Sequence, residues 1–447
     1  MTDATIYALG TPTPTRAHPG ALAVVRLSGP RAGDVVEQLT RKPLPVPRRM
    51  SLRTLVDPST GEPFDKGLVV WFAAPDTETG EPMAELHLHG GRAVVGAALD
   101  ALAHLGFCRL AEPGEFTRRA FEHGKLDLTE AEGIADLVAA ETAAQRRQAL
   151  QQMDGALHRL YENWRGRGLR ALAHLEAAID FPDEDLPEGL AGEVRVAIAG
   201  LQEEIAAHLK DRRGERLRDG LSIAIIGPAN AGKSSLLNLL ARREAAIVSE
   251  IAGTTRDVIE VHLDLGGWPV VLADTAGLRE SDNAIEQEGV RRARARAAAA
   301  DLRVLVLDAS GDWQSEMQAI MHSTEGWNPV RDIVVANKAD LVAIDDPLVV
   351  ALSTREGTGL PRLLERLQQS AESAMQEGAG APPLTRARHR EALMDCRASL
   401  ARALHAPEVV LAAEDLRLAL RALGRITGTV RLDELLDVIF RDFCIGK

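Results

Sequence analysis

Residues 221–240 read LSIAIIGPANAGKSSLLNLL, an apolar run, a glycine-rich turn and a second apolar run. The first run predicts a buried strand and the second predicts an apolar helix. The turn contains Gly227-x-x-x-x-Gly232-Lys233-Ser234, whose glycines let backbone N–H groups point at phosphate oxygens at a helix N-terminus. Lys233 adds positive charge at the β- and γ-phosphates, and the Ser234 hydroxyl can bind Mg²⁺. A strand, this pattern and a helix together predict a nucleotide-binding α/β domain.

Strand-like apolar runs recur downstream of this turn and are separated by helical or loop stretches. Alternation of this kind predicts a mostly parallel sheet that is covered by helices on both faces. The predicted strands are residues 221–226, 258–265, 269–273, 302–307, 331–336 and 348–352.

The second nucleotide motif is Asp274-Thr275-Ala276-Gly277, which follows the run VVLA at 270–273. This position places the aspartate at a strand end, where it would hold Mg²⁺ through water while the Gly277 amide senses the γ-phosphate. Many nucleotide hydrolases place a water-orienting glutamine directly after such a glycine. Here that residue is Leu278, which can neither donate nor accept a hydrogen bond, so another group must orient the water.

The third motif is Asn337-Lys338-Ala339-Asp340, which follows the predicted strand 331–336. The Asp340 carboxylate can accept from the ring N–H and the exocyclic amine of guanine together, a pair of donors that adenine does not offer. This motif therefore selects GTP over ATP. Ser353-Thr354-Arg355, after the next strand, fits the loop that backs the base.

A polar segment lies between the phosphate loop and the second motif. One of its threonines can complete the Mg²⁺ shell when a triphosphate is bound, although so polar a segment can also be an ordinary solvated loop. Farther on, arginines at 291, 292, 294 and 296 form a basic run, for which a solvated helix face is favoured over an RNA contact. The polar segment consists of Ser249, Glu250, Ile251, Ala252, Gly253, Thr254, Thr255, Arg256 and Asp257.

The sequence on either side of the nucleotide motifs shows two other patterns of apolar residues. Near the N-terminus short apolar runs such as Ala21–Leu27 and Gly67–Phe72 predict strands, whereas residues 126–215 have a helical rhythm that Phe181-Pro182 interrupts. Helical texture returns after the linker-like residues 377–383, which indicates one helical domain interrupted by the α/β domain. Two apolar stripes carry this prediction: Leu157, Leu160, Trp164, Leu172, Leu175 and Ile179, and then Leu400, Leu404, Leu416, Leu420 and Leu423. The predicted division is 1–120 (N-terminal domain), 121–217 (first helical segment), 218–372 (nucleotide domain) and 373–447 (second helical segment).

Composition narrows the class of protein. The chain has 447 residues, of which 45% are hydrophobic and 26% charged, so it is long enough for about three cores of ordinary globular protein. The net charge of −13 gives no global reason to expect nucleic-acid binding, so an RNA contact needs a local basic patch or a partner. Three unpaired cysteines argue against a disulfide framework and a zinc site. With no signal pattern and no apolar run of about 18 residues, the chain is predicted to be cytoplasmic and not bound to a membrane.

The quoted motifs, together with IAGTTRD at 251–257 and FCIGK at 443–447, identify a family. The sequence resembles MnmE, also called TrmE, the bacterial tRNA-modification GTPases. The likeness covers the whole chain and includes RLSG at 26–29, ELHLHGG at 85–91, KLDL at 125–128 and AAIDFPDED at 177–185. The nucleotide motifs occur in many other GTPases, whereas the FCIGK ending and the flanking blocks are far more specific to this family.

The resemblance implies a multidomain protein with an N-terminal α+β folate-binding and dimerisation domain, a discontinuous helical domain and an inserted Ras-like GTPase domain. It implies a homodimer that joins the flavoprotein MnmG in a heterotetramer. The pair would add an aminomethyl or carboxymethylaminomethyl group to C5 of wobble uridine 34 in certain tRNAs. The carbon would come from 5,10-methylene-tetrahydrofolate, for which 5-formyl-tetrahydrofolate is an analogue. Carried over by motif, the folate contacts are Arg26, Glu85, Lys125 and Lys447, each of which without the resemblance is an ordinary surface or capping charge.

The resemblance also implies what replaces the missing glutamine. In this family K⁺ lies between the phosphates, where it neutralises charge that builds on the β–γ bridge. The water-orienting acid matches Glu286, which the sequence alone would place on a helix surface. The matching K⁺ ligands are Asn230, Ser249, Ile251 and Thr254, and the Mg²⁺ ligands are Ser234 and Thr255. The full GTP set adds Ala231, Gly232, Lys233, Ser235, Glu250, Ala252, Gly253, Asp274, Thr275, Ala276, Gly277, Asn337, Lys338, Ala339, Asp340, Ser353, Thr354 and Arg355.

Two questions stay open at this level. Cys444 has three interpretations. The resemblance makes it a candidate catalytic group, whereas the residue type alone is compatible with an inert exposed thiol. A prenylation signal is formally possible, but the terminal lysine disfavours it. The nucleotide motifs equally fit a regulatory GTPase switch in ribosome or RNA assembly. Arg26, Glu85 and the CIGK ending favour the modifying enzyme, because a pure switch needs none of them.

Overall fold

The computed structural model describes most of the chain, and its contacts divide the chain into two compact units. The first unit comprises residues 1–135 with 427–447, and the second comprises residues 136–426. No helix in the described part of the chain is long and apolar enough to cross a membrane. The described residues are 4–18, 20–180, 190–242, 246–247, 260–274, 298–324, 326–376, 382–430, 433–441 and 443–446.

A six-stranded sheet forms the centre of the first unit. Its neighbours pair antiparallel except for the parallel pair β1 and β6, in the order β3-β4-β5-β2-β1-β6. The predicted strands 21–27 and 67–72 are confirmed within one to four residues at their ends. One face is packed against helices through buried Val25, Leu27 and Leu86. The elements are β1 (Thr5–Leu9), β2 (Leu22–Ser28), α1 (Ala32–Thr40), β3 (Ser51–Val56), β4 (Pro63–Phe72), β5 (Met83–His89), α2 (Arg92–His104), β6 (Cys108–Leu110), α3 (Glu115–Glu122) and α4 (Leu128–Ala139).

The helical part of the second unit has one continuous apolar core. All six residues of the first predicted stripe contribute to it, three fully buried and Leu160, Leu172 and Ile179 partly. The predicted stop at Phe181-Pro182 lies outside the described residues, although the preceding helix ends at Asp180. The helices are α5 (Ala143–Met153), α6 (Ala156–Asp180), α7 (Leu190–Lys210) and α8 (Arg213–Asp219) before the nucleotide motifs, and α12 (Ala387–His405) and α13 (Val409–Thr427) after them.

The rest of the second unit is a seven-stranded sheet in the order β13-β12-β11-β7-β10-β9-β8. The pairs from β13 to β10 are parallel and the last two are antiparallel, which confirms the predicted mostly parallel sheet. Val304 and Val306 pack towards one pair of helices, α9 and α11, whereas Leu305 and Leu307 pack towards α10. The elements are β7 (Leu221–Ile226), α9 (Lys233–Ala241), β8 (Ala246–Ile247), β9 (Glu260–Leu265), β10 (Trp268–Asp274), β11 (Leu302–Asp308), α10 (Trp313–Ser323), β12 (Ile333–Asn337), β13 (Val349–Leu352) and α11 (Leu360–Gln376).

The chain returns to the first unit through its last helix, α14 (Asp433–Arg441). Phe440 and Phe443 pack against Phe121 and Leu128, which form a separate small core with them. Gly428 approaches Phe121 and Leu128 at φ +83°, a conformation and a spacing that exclude a side chain. The last residues of the sequence are therefore held against elements from its first third. The finer predicted division at residues 120, 217 and 372 stays a prediction.

The helical core contains a buried aromatic cluster around His208. The ring of His208 lies edge-on to Trp164 at 5.4 Å between centroids, and its Nε2 is 3.3 Å from the Tyr161 hydroxyl. His389, which is fully buried, lies edge-on to Tyr161. Burial lowers the pKa of His208 from 6.5 to about 4, because the imidazolium would lose its hydration.

This shift makes the unfolding free energy depend on pH. Because the pKa of the folded state lies below that of the unfolded chain, the unfolded chain takes up the proton first as pH falls through 6.5. We expect His208→Gln to remove a loss of stability of about 1.2 kcal/mol between pH 6 and pH 5. Urea unfolding at both pH values measures it, with exposed His174→Gln as the control. An equal slope in wild type and His208→Gln would contradict the assignment.

Candidate nucleotide site and charged cluster

The phosphate loop has the backbone that its sequence predicts. Gly227, which follows β7, has φ +143°, and a Cβ there would overlap the carbonyl oxygen of Val306. Gly232, which caps α9, has φ +97°, and a Cβ there would overlap the side chain of Asn337. Both positions therefore require glycine. Asn230 between them is left-handed at φ +61°, a conformation that asparagine tolerates better than most residues.

The functional side chains of the loop stand where α9 begins. The Lys233 ammonium donates to the carbonyl oxygens of Gly227 and Pro228 at 2.9 and 2.7 Å, and these two hydrogen bonds fix its position above the loop. Ser234 and Ser235 follow in the first turn of α9 and are exposed. The partial positive charge of a helix N-terminus and a fixed ammonium together favour the phosphates of a nucleotide.

Asn337 links the phosphate loop to the base loop. Its side chain is 1% exposed, donates from Nδ2 to the Ala231 carbonyl at 2.9 Å and accepts from the Thr354 N–H at 3.1 Å. Ala339 donates its N–H to Leu352 at 3.0 Å, which fixes the start of the motif against the end of β13. The predicted residues of the base loop are therefore brought together by bonds that leave Asp340 exposed.

Asp340 is held as a carboxylate. A hydrogen bond from the Ser353 side chain lowers its pKa, and the positive charges of Arg355 and Lys338 act in the same direction. Ser353 itself is fully buried and donates its N–H to Thr358 at 3.0 Å. An ionised carboxylate at the rim can accept two N–H groups from one edge of a guanine ring.

Sequence reasoning missed Asp308 at the end of β11. Its carboxylate forms an ion pair with Lys338, which has the left-handed conformation at φ +65°. The Ser310 hydroxyl and N–H also bond to this carboxylate, at 2.6 and 3.0 Å. The sequence does contain a pattern that could have indicated Asp308: an acidic residue at the end of an apolar run, at the same edge of the sheet as the other motifs. Asp308 therefore positions Lys338, which lies two residues before Asp340, the residue predicted to bind the guanine base.

Several predicted site residues lie outside the described part of the chain. They are Ser249, Glu250, Ile251, Ala252, Gly253, Thr254, Thr255, Thr275, Ala276, Gly277, Glu286 and Lys447. Asp274 ends β10 in register with Ile225 of β7, which places its backbone at the phosphate edge of the sheet. Of the predicted Mg²⁺ and K⁺ ligands, Ser234 and Asn230 belong to the described residues, so the complete ligand sets stay predictions.

A second candidate site in the first unit is built around Arg26. Arg26 and Glu85 are directly opposite each other on β2 and β5, with 3.8 Å between Nε and Oε1. Arg26 Nη1 donates to the Gly446 carbonyl at 3.1 Å, across 420 residues of sequence, and Nη2 forms an ion pair with Glu78. The side chain of Arg26 is 12% exposed, so it is not the surface charge that the sequence alone favours.

The chemistry of this cluster fits a polar heterocycle with acidic groups. Arg26 Nε is buried and has no hydrogen-bond partner among the described residues, so a donor is left for a ligand. Glu85 offers acceptor oxygens beside it. The guanidinium carbon also lies 5.1 Å from the centroid of the Phe116 ring, a cation–π contact that helps to hold the side chain in place.

The loop of residues 76–82 brings Lys125 to the same region. A Cβ at Gly80 would come within 3.4 Å of Lys125 Cε, and the same loop carries Glu78. Glu81 anchors the loop, since its carboxylate accepts from Arg119 at 3.0 Å and from Ser28 at 2.7 Å. Glu78 and Glu81 were missed because an irregular loop has no periodicity from which its contacts can be predicted.

The C-terminal segment approaches this region along a short bridge. Ile445 pairs antiparallel with Pro113, and the Cys444 carbonyl accepts the Gly114 N–H at 3.4 Å. The Cys444 side chain is exposed. Gly114 has φ +68° and contacts Phe440 so closely that a side chain would clash. The structure thus places predicted Arg26, Glu85, Lys125 and Cys444 in one unit, and it links Arg26 directly to the residue before Lys447.

Comparisons with known proteins cover nearly the whole chain. A model of the MnmE helical domain matches residues 128–444, and a model of the GTP-binding protein TrmE N-terminus matches residues 5–125. The chain is 56% identical over 448 residues to the tRNA modification GTPase MnmE of Parvibaculum lavamentivorans, covering 99% of this chain and 100% of that one. It is 54% identical over 463 residues to the protein of the same name from Rhodospirillum rubrum, covering 100% of both chains. Among solved structures, the G domain of T. maritima FeoB is 24% identical over 34% of this chain and 98% of that one, and its TM-score of 0.26 says nothing about shared function.

Proposed function

The chain belongs to the MnmE family of tRNA modification GTPases and is a GTP hydrolase that acts in tRNA modification, and we propose that it modifies C5 of the wobble uridine. The group added would be aminomethyl or carboxymethylaminomethyl, and the flavoprotein MnmG would be the partner. The observation that carries this proposal is the cluster of Arg26, Glu85 and Gly446. A GTPase that acts only as a switch has no use for a second ligand site that joins both ends of its chain.

The folate part of the proposal rests on the same cluster. A methylene-tetrahydrofolate would supply the one-carbon unit. The free donor on Arg26 Nε and the carboxylate of Glu85 are suited to the polar edge of its ring, and Lys125 adds a cation for its acidic end. Lys447 and Cys444 are assigned here by family resemblance, and the contact of Gly446 with Arg26 supports their proximity to the ligand.

The nucleotide part includes Mg²⁺ and K⁺. Lys233 and Ser234 would hold the phosphates and Mg²⁺, and Asn230 would share K⁺ with Ser249, Ile251 and Thr254 while Glu286 orients the water. Asn230 is assigned to this set by family resemblance, and its place within the phosphate loop is consistent with that role. A monovalent cation there would neutralise developing charge in the transition state. A ligand cage sized for K⁺ would hold the smaller Na⁺ poorly, so hydrolysis should fall sharply when Na⁺ replaces K⁺. Equal rates in the two salts would remove the K⁺ assignment.

The assembly part comes from the family. We propose that two copies form a homodimer and join MnmG in a heterotetramer, and that the complex works in the cytoplasm, where its tRNA substrate is found. Light scattering of the chain alone and mixed with MnmG measures both associations. A chain that stays monomeric in both would contradict this part.

Mass spectrometry of wobble uridine in a deletion strain tests the proposed reaction. Wild type should restore the modified nucleoside, whereas Arg26→Ala and Cys444→Ser should restore less than about a tenth of it. Each variant removes a contact or a reacting group of the proposed folate site, and a loss of about 1.4 kcal/mol of transition-state stabilisation lowers a rate tenfold. Both variants should keep normal GTP hydrolysis, since they lie in the other unit from the nucleotide site. Arg16→Ala, an exposed arginine of the same unit, is the control. An unchanged uridine profile in the deletion strain would refute the reaction, and full restoration by Arg26→Ala would refute the folate site.

A further inference from the structure

Residues 41–53 read RKPLPVPRRMSLR and comprise the connection between α1 and β3 together with the first three residues of β3. This segment, hereafter the basic loop, contains five cations and no acidic residue, in a chain whose net charge is −13. Its four cations before β3 are all exposed, and the fifth is half-buried. The cations are Arg41, Lys42, Arg48, Arg49 and Arg53.

The positive charge of the basic loop is not neutralised within the described chain. None of its five cations forms an ion pair with an acidic side chain in the residues that the structure describes. Arg48 and Arg53 instead donate to backbone carbonyls of Asp76 and Pro43. Glu37 reaches the loop, but it accepts the N–H of Leu44 at 3.3 Å and no guanidinium.

The basic loop is also held in one conformation. Its three prolines fix φ at every second residue from 43 to 47, and Pro45 is buried. Arg48 donates its N–H to the Trp71 carbonyl at 2.8 Å, which ties the loop to the end of β4. Arg49 donates its N–H to Val46 at 3.2 Å and closes a turn. Because the backbone of the loop is already ordered, only the side chains of its cations lose conformational entropy when they bind an anion.

We propose that the basic loop binds the phosphate backbone of the tRNA substrate. This inference rests on the proposed function, which makes tRNA the molecule that the chain modifies. An acidic chain repels a polyanion over most of its surface, so attraction has to come from a local region of uncompensated positive charge. Arginine matches phosphate geometry through its planar donors, and four of the five cations are arginines. Val46 and Met50, which are 60% and 61% exposed beside these arginines, offer apolar contact to sugars and bases.

The test compares two double variants of the full-length chain that change the net charge equally. Arg48→Gln with Arg49→Gln alters the basic loop, and Arg146→Gln with Arg147→Gln alters an exposed pair on α5. Fluorescence anisotropy measures binding of labelled tRNA from 50 to 200 mM KCl. We expect the loop variant to bind about tenfold more weakly and to lower the salt slope of log K by about 1.5, since each phosphate contact contributes about 0.7 to 0.9. The α5 variant should stay within about twofold of wild type, because its charges are lost from outside the interface.

GTP hydrolysis and light scattering of the same variants show whether fold and association are preserved. Equal tRNA binding by the two double variants overturns the inference, as does a wild-type chain that binds no tRNA. If the loop variant binds tRNA normally but no longer self-associates, the loop is a subunit contact. If it binds tRNA normally but no longer binds anionic vesicles, the loop is a lipid contact. Either result also overturns the inference. Wild type that binds tRNA through the loop but leaves uridine unmodified supports the inference and counts against the proposed reaction.

Discussion

Asp340→Asn is expected to weaken binding of GTP by about 10² to 10⁴-fold, because one hydrogen bond to a charged acceptor, worth about 1.5–3 kcal/mol, is lost and the guanine amine then faces an amide donor, which leaves it unpaired at a further cost of about 1–3 kcal/mol. The structure holds this carboxyl group ionised, since the Ser353 hydrogen bond and the charge of Arg355 both lower its pKa. An asparagine at the same position offers one acceptor and one donor. It therefore matches a base that carries a carbonyl where guanine carries its exocyclic amine.

The decisive measurement is the ratio of affinities for GTP and XTP. Xanthine has a carbonyl in place of the amine, so the variant should gain affinity for XTP while it loses affinity for GTP. Asp345→Asn, an exposed aspartate five residues farther on, removes the same charge and should leave both affinities unchanged. A variant that still prefers GTP by the wild-type ratio would show that another residue reads the base.

Lys233→Ala is expected to lower GTP hydrolysis by about 10³-fold, since one preorganised donor to developing charge is worth about 10² to 10³ and the ground-state charge contact is lost as well. The ammonium lies 2.9 and 2.7 Å from two carbonyl oxygens of its own loop, so it is positioned before nucleotide arrives. Alanine leaves that position without charge, and it also removes the two hydrogen bonds that the ammonium donates to the loop.

Single-turnover hydrolysis at saturating GTP measures this effect apart from binding. Lys210→Ala, an exposed lysine at the end of α7, is the control for loss of one positive charge. A Lys233→Ala variant that retains more than a tenth of the wild-type rate would mean that the phosphates are neutralised by other groups, such as the proposed K⁺.

Sequence patterns predicted the nucleotide domain to within a few residues at most of its strands. The predicted strands 221–226, 302–307 and 348–352 correspond to β7, β11 and β13 with end differences of at most one residue. The sequence did not reveal β8, because two residues are too few to show a period. The predicted loop 249–255 and Glu286 lie outside the described residues, and their roles stay predictions.

The local chemistry of the phosphate and base loops follows from their residues and spacing alone. The positive φ angles of Gly227 and Gly232 are features of the loop itself, and the strand, the loop and the helix follow one another directly along the chain. The grouping of distant residues into one site, by contrast, is seen only in the folded chain. The contact of Arg26 with Gly446 spans 420 residues, and its ion pair with Glu78 depends on a loop without regular structure. Such contacts depend on how separate elements pack, and that packing is a property of the whole fold which short-range spacing does not encode.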